Sequence, residues 1–286
     1  MRVLVFGRTG QVARALLARS DVAQVEALGR EDADLADPAA CAERVASTDA
    51  DAVIVAAAYT AVDRAEEEEA LALRINAEAP GAIAAAAARR RIPLVHISTD
   101  YVFGGEGPAP YAPGDPTGPL GAYGRTKRAG EEAVRVAGGV HGILRTSWVV
   151  SPHGTNFVRT MLRLGAERDR VRVVADQVGG PTPAAAVADA CLRMAAHLGL
   201  DPGLSGTYHL SGAPDTTWAG LAREVFARAG LACEVEEIAT ADWPTPARRP
   251  PDSRLDCRAT EAAFGIARPD WRAGLDDILV ALRTAA

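Results

Sequence analysis

The chain has 286 residues, a formal net charge of -6, and a balance of 48% hydrophobic to 24% charged residues. Such a composition supports a sizeable core and excludes a basic nucleic-acid binder, and no run of about 18 apolar residues marks a membrane span. Cys41, Cys191, Cys233 and Cys257 are scattered without CxxC spacing, and His96, His141, His153, His197 and His209 form no ligand motif, which predicts buried thiols in a reducing cytoplasm. An apolar strand beginning at residue 2 leaves no room for a leader, so a cytoplasmic location is expected.

In chain order, the spacing predicts strands near 2–7, 24–29, 52–57, 93–98 and 140–146, with helices near 10–20, 38–47, 64–73, 76–91 and 122–137. Strands alternating with helices imply a doubly wound parallel sheet of the Rossmann type. After residue 150 the order loosens. A helix near 156–166, a strand near 171–174, a helix near 184–198, a strand at 207–210 and a helix at 217–229 follow. Pro244, Pro246, Pro250 and Pro251 mark a long loop, and a helix from Trp271 to Leu282 closes the chain. The expected division is a nucleotide-binding domain over 1–150, joined by 184–215, and a smaller α/β substrate-binding lobe over 151–183 and 216–286.

Three features carry chemistry. The first strand runs into Gly7-Arg8-Thr9-Gly10, followed by a helical pattern. Glycines let the backbone approach a pyrophosphate, and the helix start offers free N–H groups to it. Ser98-Thr99-Asp100 ends the fourth strand, and 123 − 99 = 24 residues later comes Tyr123-Gly-Arg-Thr-Lys127. Tyr123 and Lys127 share a helix face, so the ammonium is expected to lower the phenol's pKa and make it a usable proton donor. The Thr99 and Tyr123 hydroxyls would then hold one carbonyl oxygen while a dihydronicotinamide delivers hydride. Carbonyl reduction without a metal is the expected reaction.

The nicotinamide cofactor can be narrowed at the second strand. NAD enzymes place a carboxylate at its end, whereas Val25-Glu-Ala-Leu-Gly29-Arg30 ends on a cation, with Glu31 one step later. NADPH is therefore expected with Arg30 at its 2′-phosphate, NADH being the alternative.

The chain resembles the dTDP-4-dehydrorhamnose reductase family of the extended short-chain dehydrogenase/reductase superfamily. The matching runs are Phe6-Gly-Arg-Thr-Gly-Gln11, Asp34-Leu35, Ala56-Ala-Ala-Tyr-Thr-Ala-Val-Asp63, Asn76-Ala77, Ser98-Thr-Asp-Tyr-Val-Phe103, Tyr123-Gly-x-x-Lys127 with Gly130-Glu131, and Arg145-Thr-Ser-Trp148. They continue through Asn156-Phe157, Asp176-Gln-x-Gly179, Pro181-Thr182, Gly206-Thr-Tyr-His209, Pro244-Thr-Pro-Ala-x-Arg-Pro250 and Ser253-Arg-Leu255. The likeness spans essentially the whole chain in one register.

The resemblance implies NADPH-dependent reduction of the C4 keto group of a dTDP-4-keto-6-deoxyhexose, with dTDP-L-rhamnose the expected product. It gives Thr99, Tyr123 and Lys127 the catalytic roles. Gly7, Gly10, Gln11 and Val12 would lie under the pyrophosphate, Asp34 and Leu35 beside the adenine, and Ala57, Ala58 and Tyr59 along the ribose and nicotinamide. Val62, Asp100 and Trp148 would contact the sugar, and Asn156, Gln177 and Arg249 the nucleotide end of the substrate. Structural readings stand beside these: Trp148 as a core indole, Asn156 as a helix N-cap, Arg249 as a loop charge. Some members of the family form dimers bridged by Mg2+ through glutamates. This chain has Ala15 and Ala185 at the two matched positions, so no metal residues are assigned and a monomer or weak homodimer is expected. The alternatives are a sister 4-ketoreductase of secondary-metabolite deoxysugar synthesis and a catalytically silent NADP-binding regulatory subunit.

Overall fold

Four of the five residues of β1 (Arg2–Phe6) are buried, as a strand covered on both faces requires. The computed structural model, which describes residues 1–107 and 110–284, continues with α1 (Gln11–Leu17), β2 (Gln24–Leu28), α2 (Pro38–Ala46) and β3 (Ala52–Val55). Then come α3 (Glu69–Leu73), α4 (Ala79–Arg90), β4 (Leu94–Thr99), α5 (Ala122–Val136) and β5 (His141–Thr146). The helices expected at 64–73 and 76–91 are a 3-10 turn followed by one continuous helical run, because a π-helical stretch, Arg74–Glu78, joins α3 to α4.

The later elements are β6 (Val149–Val150), α6 (Phe157–Glu167), β7 (Arg170–Val174), β8 (Val178–Gly179), β9 (Thr182–Pro183), α7 (Ala184–Leu200) and β10 (Gly206–Leu210). They end with β11 (Thr216–Thr217), α8 (Trp218–Ala229), β12 (Glu234–Ile238), α9 (Arg258–Phe264) and α10 (Trp271–Thr284). The main sheet is parallel throughout, in the order β10-β5-β4-β3-β1-β2. Alternate residues of its strands feed two cores. Val3, Val5, Ile54, Val95 and Leu144 meet α1 and α7, whereas Leu4, Phe6, Val53, Leu94 and Ile143 meet α2 and α4.

A third apolar cluster joins α6, β7, α8 and α10 around Val158, Val171, Phe226 and Trp271. There β12 pairs in parallel with β7, an element the hydrophobic pattern does not announce. Its sequence, EVEEI, is mostly acidic, and Glu234 and Glu236 face Arg170 and Arg172 across the pair. Charge matching between strands substitutes for apolar alternation.

Candidate active site

Winding of the sheet reverses at β1: β2 lies on one side and β3, β4 and β5 on the other. Ligands of such sheets bind in the crevice outside this switch point. Gly7 leaves β1 with φ +118°, and a Cβ there would stand 3.2 Å from both Cβ and N of Ala57, which follows β3. Only glycine fits between the two strand ends. At Gly10 an added Cβ would meet nothing within 4 Å, and α1 begins there without a side-chain cap. No side chain of the cap thus takes up its first N–H groups, while its Val12 and Ala13 are buried. This cradle fits a dinucleotide pyrophosphate.

The rest of the expected cofactor strip is distributed as follows. Arg30 is exposed past the end of β2. The neighbouring Arg8, which the sequence reading passed over, donates to Ala27 O (3.0 Å) and pairs with both Glu31 and Asp32. It neutralises the acids that would repel a 2′-phosphate. Asp34 accepts from Ala36 N (2.9 Å), and Leu35 is buried in the core beside Phe6 and Leu28. Ala57, Ala58 and Tyr59 are half-buried after β3. Asn76, matched in the sequence but given no role there, is fully buried: its amide accepts from Tyr59 N (2.8 Å) and donates to Tyr59 O and to Thr126 Oγ1, both at 3.1 Å. It ties the cofactor side to α5.

α5 must lie close to β4 for its side chains to meet the strand end. Cβ atoms at Gly124 and Gly130 would come within 2.2 Å of Tyr101 O and 2.0 Å of Asn76 O, so both positions admit no side chain. Thr99 ends β4, accepts from Tyr101 N (3.2 Å) and donates to Asp100 Oδ1 (3.0 Å). Tyr123 stacks edge-on against Tyr101, 5.6 Å between centroids. The structure corrects one expectation here. Burial pushes the Tyr123 phenol up to about 12, only partly offset by the Thr99 hydroxyl, and Asp100 adds to the rise. Lys127, itself 2% exposed and donating to Ile97 O at 2.7 Å, does not outweigh that burial. Burial lowers Lys127 itself to about 8, against the attraction of Glu131.

On the sugar side, Val62 is half-buried, and Asp100 is buried with its Oδ2 left without a hydrogen bond. Burial raises Asp100 to about 6, restrained by Ser253 and Thr99. Trp148 is a bulky residue at φ +47°, a strained backbone of the kind found at functional sites. It is no ordinary core indole. Its ring stacks on Trp218 at 3.6 Å and 9°, above Gly179, where a Cβ would come within 2.7 Å of it. Trp218, which the sequence reading did not single out, donates its Nε1–H to Gln177 (3.2 Å), and Gln177 donates to Thr240 (3.0 Å).

The residues expected at the nucleotide end are not brought together as a free polar set. Gln177 spends both ends of its amide on that brace. Asn156 is the N-cap of α6, accepting from Arg159 N (3.2 Å), and donates to Gln11 Oε1 (3.0 Å) and Ser151 O (2.9 Å). Gln11 also donates to Val149 O, so these two side chains knot the first turn of the chain to the segment after β5. Arg249 pairs with Asp63 (2.9 Å), which raises the guanidinium and lowers the carboxyl. Arg249 lines a cavity of about 360 Å³ together with Trp243, Thr245 and the exposed Arg248.

Comparison with known proteins agrees over the full length. The family described as RmlD substrate binding domain matches residues 1–284. The chain is 44% identical over 279 residues to a dTDP-4-dehydrorhamnose reductase of Sinorhizobium fredii, covering 95% of this chain and 94% of the relative. It is 40% identical over 292 residues to a probable dTDP-4,6-dihydroxy-2-methyloxan-3-one 4-ketoreductase of Streptomyces antibioticus, covering 98% and 97%. The solved dTDP-4-dehydrorhamnose reductase of Bacillus anthracis in complex with NADP superposes with a TM-score of 0.90 at 33% identity, covering 98% and 99%. A family match from end to end, on a crevice with this geometry, places the chain in the dTDP-4-dehydrorhamnose reductase family.

Proposed function

We propose that this chain is an NADPH-dependent oxidoreductase that reduces the C4 keto group of a dTDP-4-keto-6-deoxyhexose, forming dTDP-L-rhamnose. What supports the reading is the Thr99 hydroxyl at the end of β4 against the Tyr123 phenol, with Lys127 tied to Ile97 O of the same strand, in a chain of this family.

NADPH, when bound, supplies the hydride. Gly7, Gly10 and the first turn of α1 hold the pyrophosphate, and Arg30, with Arg8 masking Glu31 and Asp32, accommodates the 2′-phosphate. Tyr123 gives its proton to the carbonyl oxygen. A phenol held near 12 still serves as donor, since an oxygen gaining alkoxide character is more basic than phenolate. Thr99 orients the same oxygen. Lys127 makes one internal hydrogen bond, to Ile97 O, so two of its three N–H donors remain for the ribose, and its charge favours the phenolate that forms. The unpartnered Asp100 oxygen accepts a sugar hydroxyl, and Trp148 supplies an apolar wall. Arg248 and Arg249 face the diphosphate, with Trp243 against the base.

Of the described helices, none is long and apolar enough to cross a membrane. A cytoplasmic monomer or weak homodimer completes the reading, since Ala15 and Ala185 offer no ligand for a bridging Mg2+. The relative from Streptomyces antibioticus, at 40% identity, favours a second reading in which a sister 4-ketosugar is the substrate. Purified protein given NADPH and a panel of 4-keto nucleotide sugars decides between them. The leading reading expects the highest kcat/KM with the 4-keto precursor of dTDP-L-rhamnose, and a clear preference for another sugar overturns it.

A further inference from the structure

Glu131 is one helical turn beyond Lys127 on α5 and is 1% exposed. A buried carboxylate needs several partners, and this one has four hydrogen bonds. Arg145 on β5 grips both oxygens (Nε to Oε1 2.8 Å, Nη2 to Oε2 2.6 Å), Ser98 donates at 2.7 Å, and Arg135 donates at 3.0 Å. Arg145 is held in turn by Pro113 O (3.1 Å) and faces His209 (3.3 Å). Ser98 directly precedes Thr99, and Ile97, the acceptor of Lys127, precedes Ser98. Two successive turns of the helix therefore seize two successive residues of the strand end that bears the catalytic hydroxyl.

We infer that Glu131 is a positioning residue for the reaction, fixing the Thr99 strand end against α5 and placing an anion one helical turn from the Lys127 ammonium. The inference rests on the Tyr123–Lys127 reading given above. Burial lowers Lys127, and among the described residues the attraction of Glu131 opposes that. From β4, His96 is buried without hydrogen bonds, and burial, with the Lys127 and Arg135 charges, holds its imidazole well below the usual range. From β5, Arg145 spends its charge on Glu131. Asp100 and Tyr101 act on the Tyr123 side, Glu66 and Glu69 face Arg125, and the π-helical stretch presents the neutral Asn76. Arg90 of α4 donates away from the site, to Thr48 O.

Glu131→Gln keeps the shape and removes the charge. It also leaves Arg145 buried and unpaired, so the neutral pair Glu131→Gln/Arg145→Gln is measured beside it. Lys127 must be protonated to act, so the alkaline limb of kcat is expected to move about one pH unit lower in Glu131→Gln, the usual scale for losing a nearby opposite charge, and by less in the neutral pair, which loses the Arg145 cation as well. Ser98→Ala keeps both charges and is expected to lower kcat without moving the limb. An unmoved limb in folded Glu131→Gln, or the same displacement in Ser98→Ala, overturns the inference. Tyr123→Phe and Lys127→Ala run in the same assay separate the two levels. If they retain activity, the Tyr–Lys reading itself fails; if they lose it while the limb stays fixed, only the role of Glu131 fails.

Discussion

Along the seam between β4 and α5 the charges are buried and matched: Glu131 and Arg145 are 1% and 3% exposed and share two hydrogen bonds. In the loop that carries Arg248 and Arg249 the corresponding pair, Arg249 with Asp63, is 23% and 39% exposed. The contrast follows from what each region must do. A buried pair in low dielectric has no competitor and fixes geometry, as proton transfer to a carbonyl oxygen requires. A pair partly open to solvent is screened and costs less to break, so on the proposed reading a diphosphate would draw Arg249 away from Asp63, Thr245 and Ala247 O. One region is built to stay still and the other to change partners.

The largest effects should come from breaking the seam. Lys127→Ala removes the ammonium and its tie to Ile97 O, and should lower turnover at least about 100-fold, the scale of a lost acid–base partner. NADPH affinity, measured by titration, should weaken as well; parent-like affinity would detach Lys127 from the cofactor. Acid should loosen the same region. Burial and Arg145 hold His209 at about 4, against 6.5 for a free imidazole. Because the unfolded chain takes up the proton first, stability is full above pH 6.5 and declines toward about 4. At most about 3 kcal/mol is lost over that window. Urea unfolding of the parent and of His209→Gln across this range checks it, and identical slopes would remove His209 from the seam's pH response.

Smaller effects should mark the exposed groups. Arg30→Ala should weaken NADPH by about 1.5–3 kcal/mol and leave NADH nearly unaffected, and Arg8→Ala should act in the same sense by unmasking Glu31 and Asp32. Equal losses for both cofactors would make these arginines structural. In the loop, Arg249→Lys should raise the nucleotide-sugar KM about tenfold, lower kcat less and leave NADPH binding intact, since an ammonium lacks the two-point fork. An unchanged KM would move the diphosphate elsewhere and end the contrast between the two regions.

The same contrast explains what could be read from the residues alone. β1, β3 and β4 are apolar runs followed by Gly7, Ala57 and Thr99, and Tyr123-x-x-x-Lys127 lies on one helix face, so the crevice and its hydroxyls were legible in the pattern. Burial was not. Spacing predicted a Tyr123 phenol lowered by Lys127, but the depth of the seam raises it and commits the ammonium to a carbonyl. Nor does spacing show which amides are already spent. Gln177 looks like a free polar group in the sequence, yet a tryptophan brace absorbs it, whereas the cap that absorbs Asn156 was an alternative the sequence already offered. Trp218 was missed, and Asn76 was matched but given no role, because their partners, Trp148 and Thr126, are distant in the chain. β12 was missed because its cross-strand charges leave no apolar alternation.

The account stands most directly on the phenol of Tyr123 as proton donor to the C4 oxygen. Steady-state turnover of Tyr123→Phe with NADPH and the 4-keto nucleotide sugar, together with cofactor titration, isolates that step, because the ring is kept and only the hydroxyl is removed. Turnover should fall by about two to four orders of magnitude with NADPH affinity nearly unchanged, the scale of general acid catalysis. Near-parental turnover would remove Tyr123 from the chemistry and contradict the account.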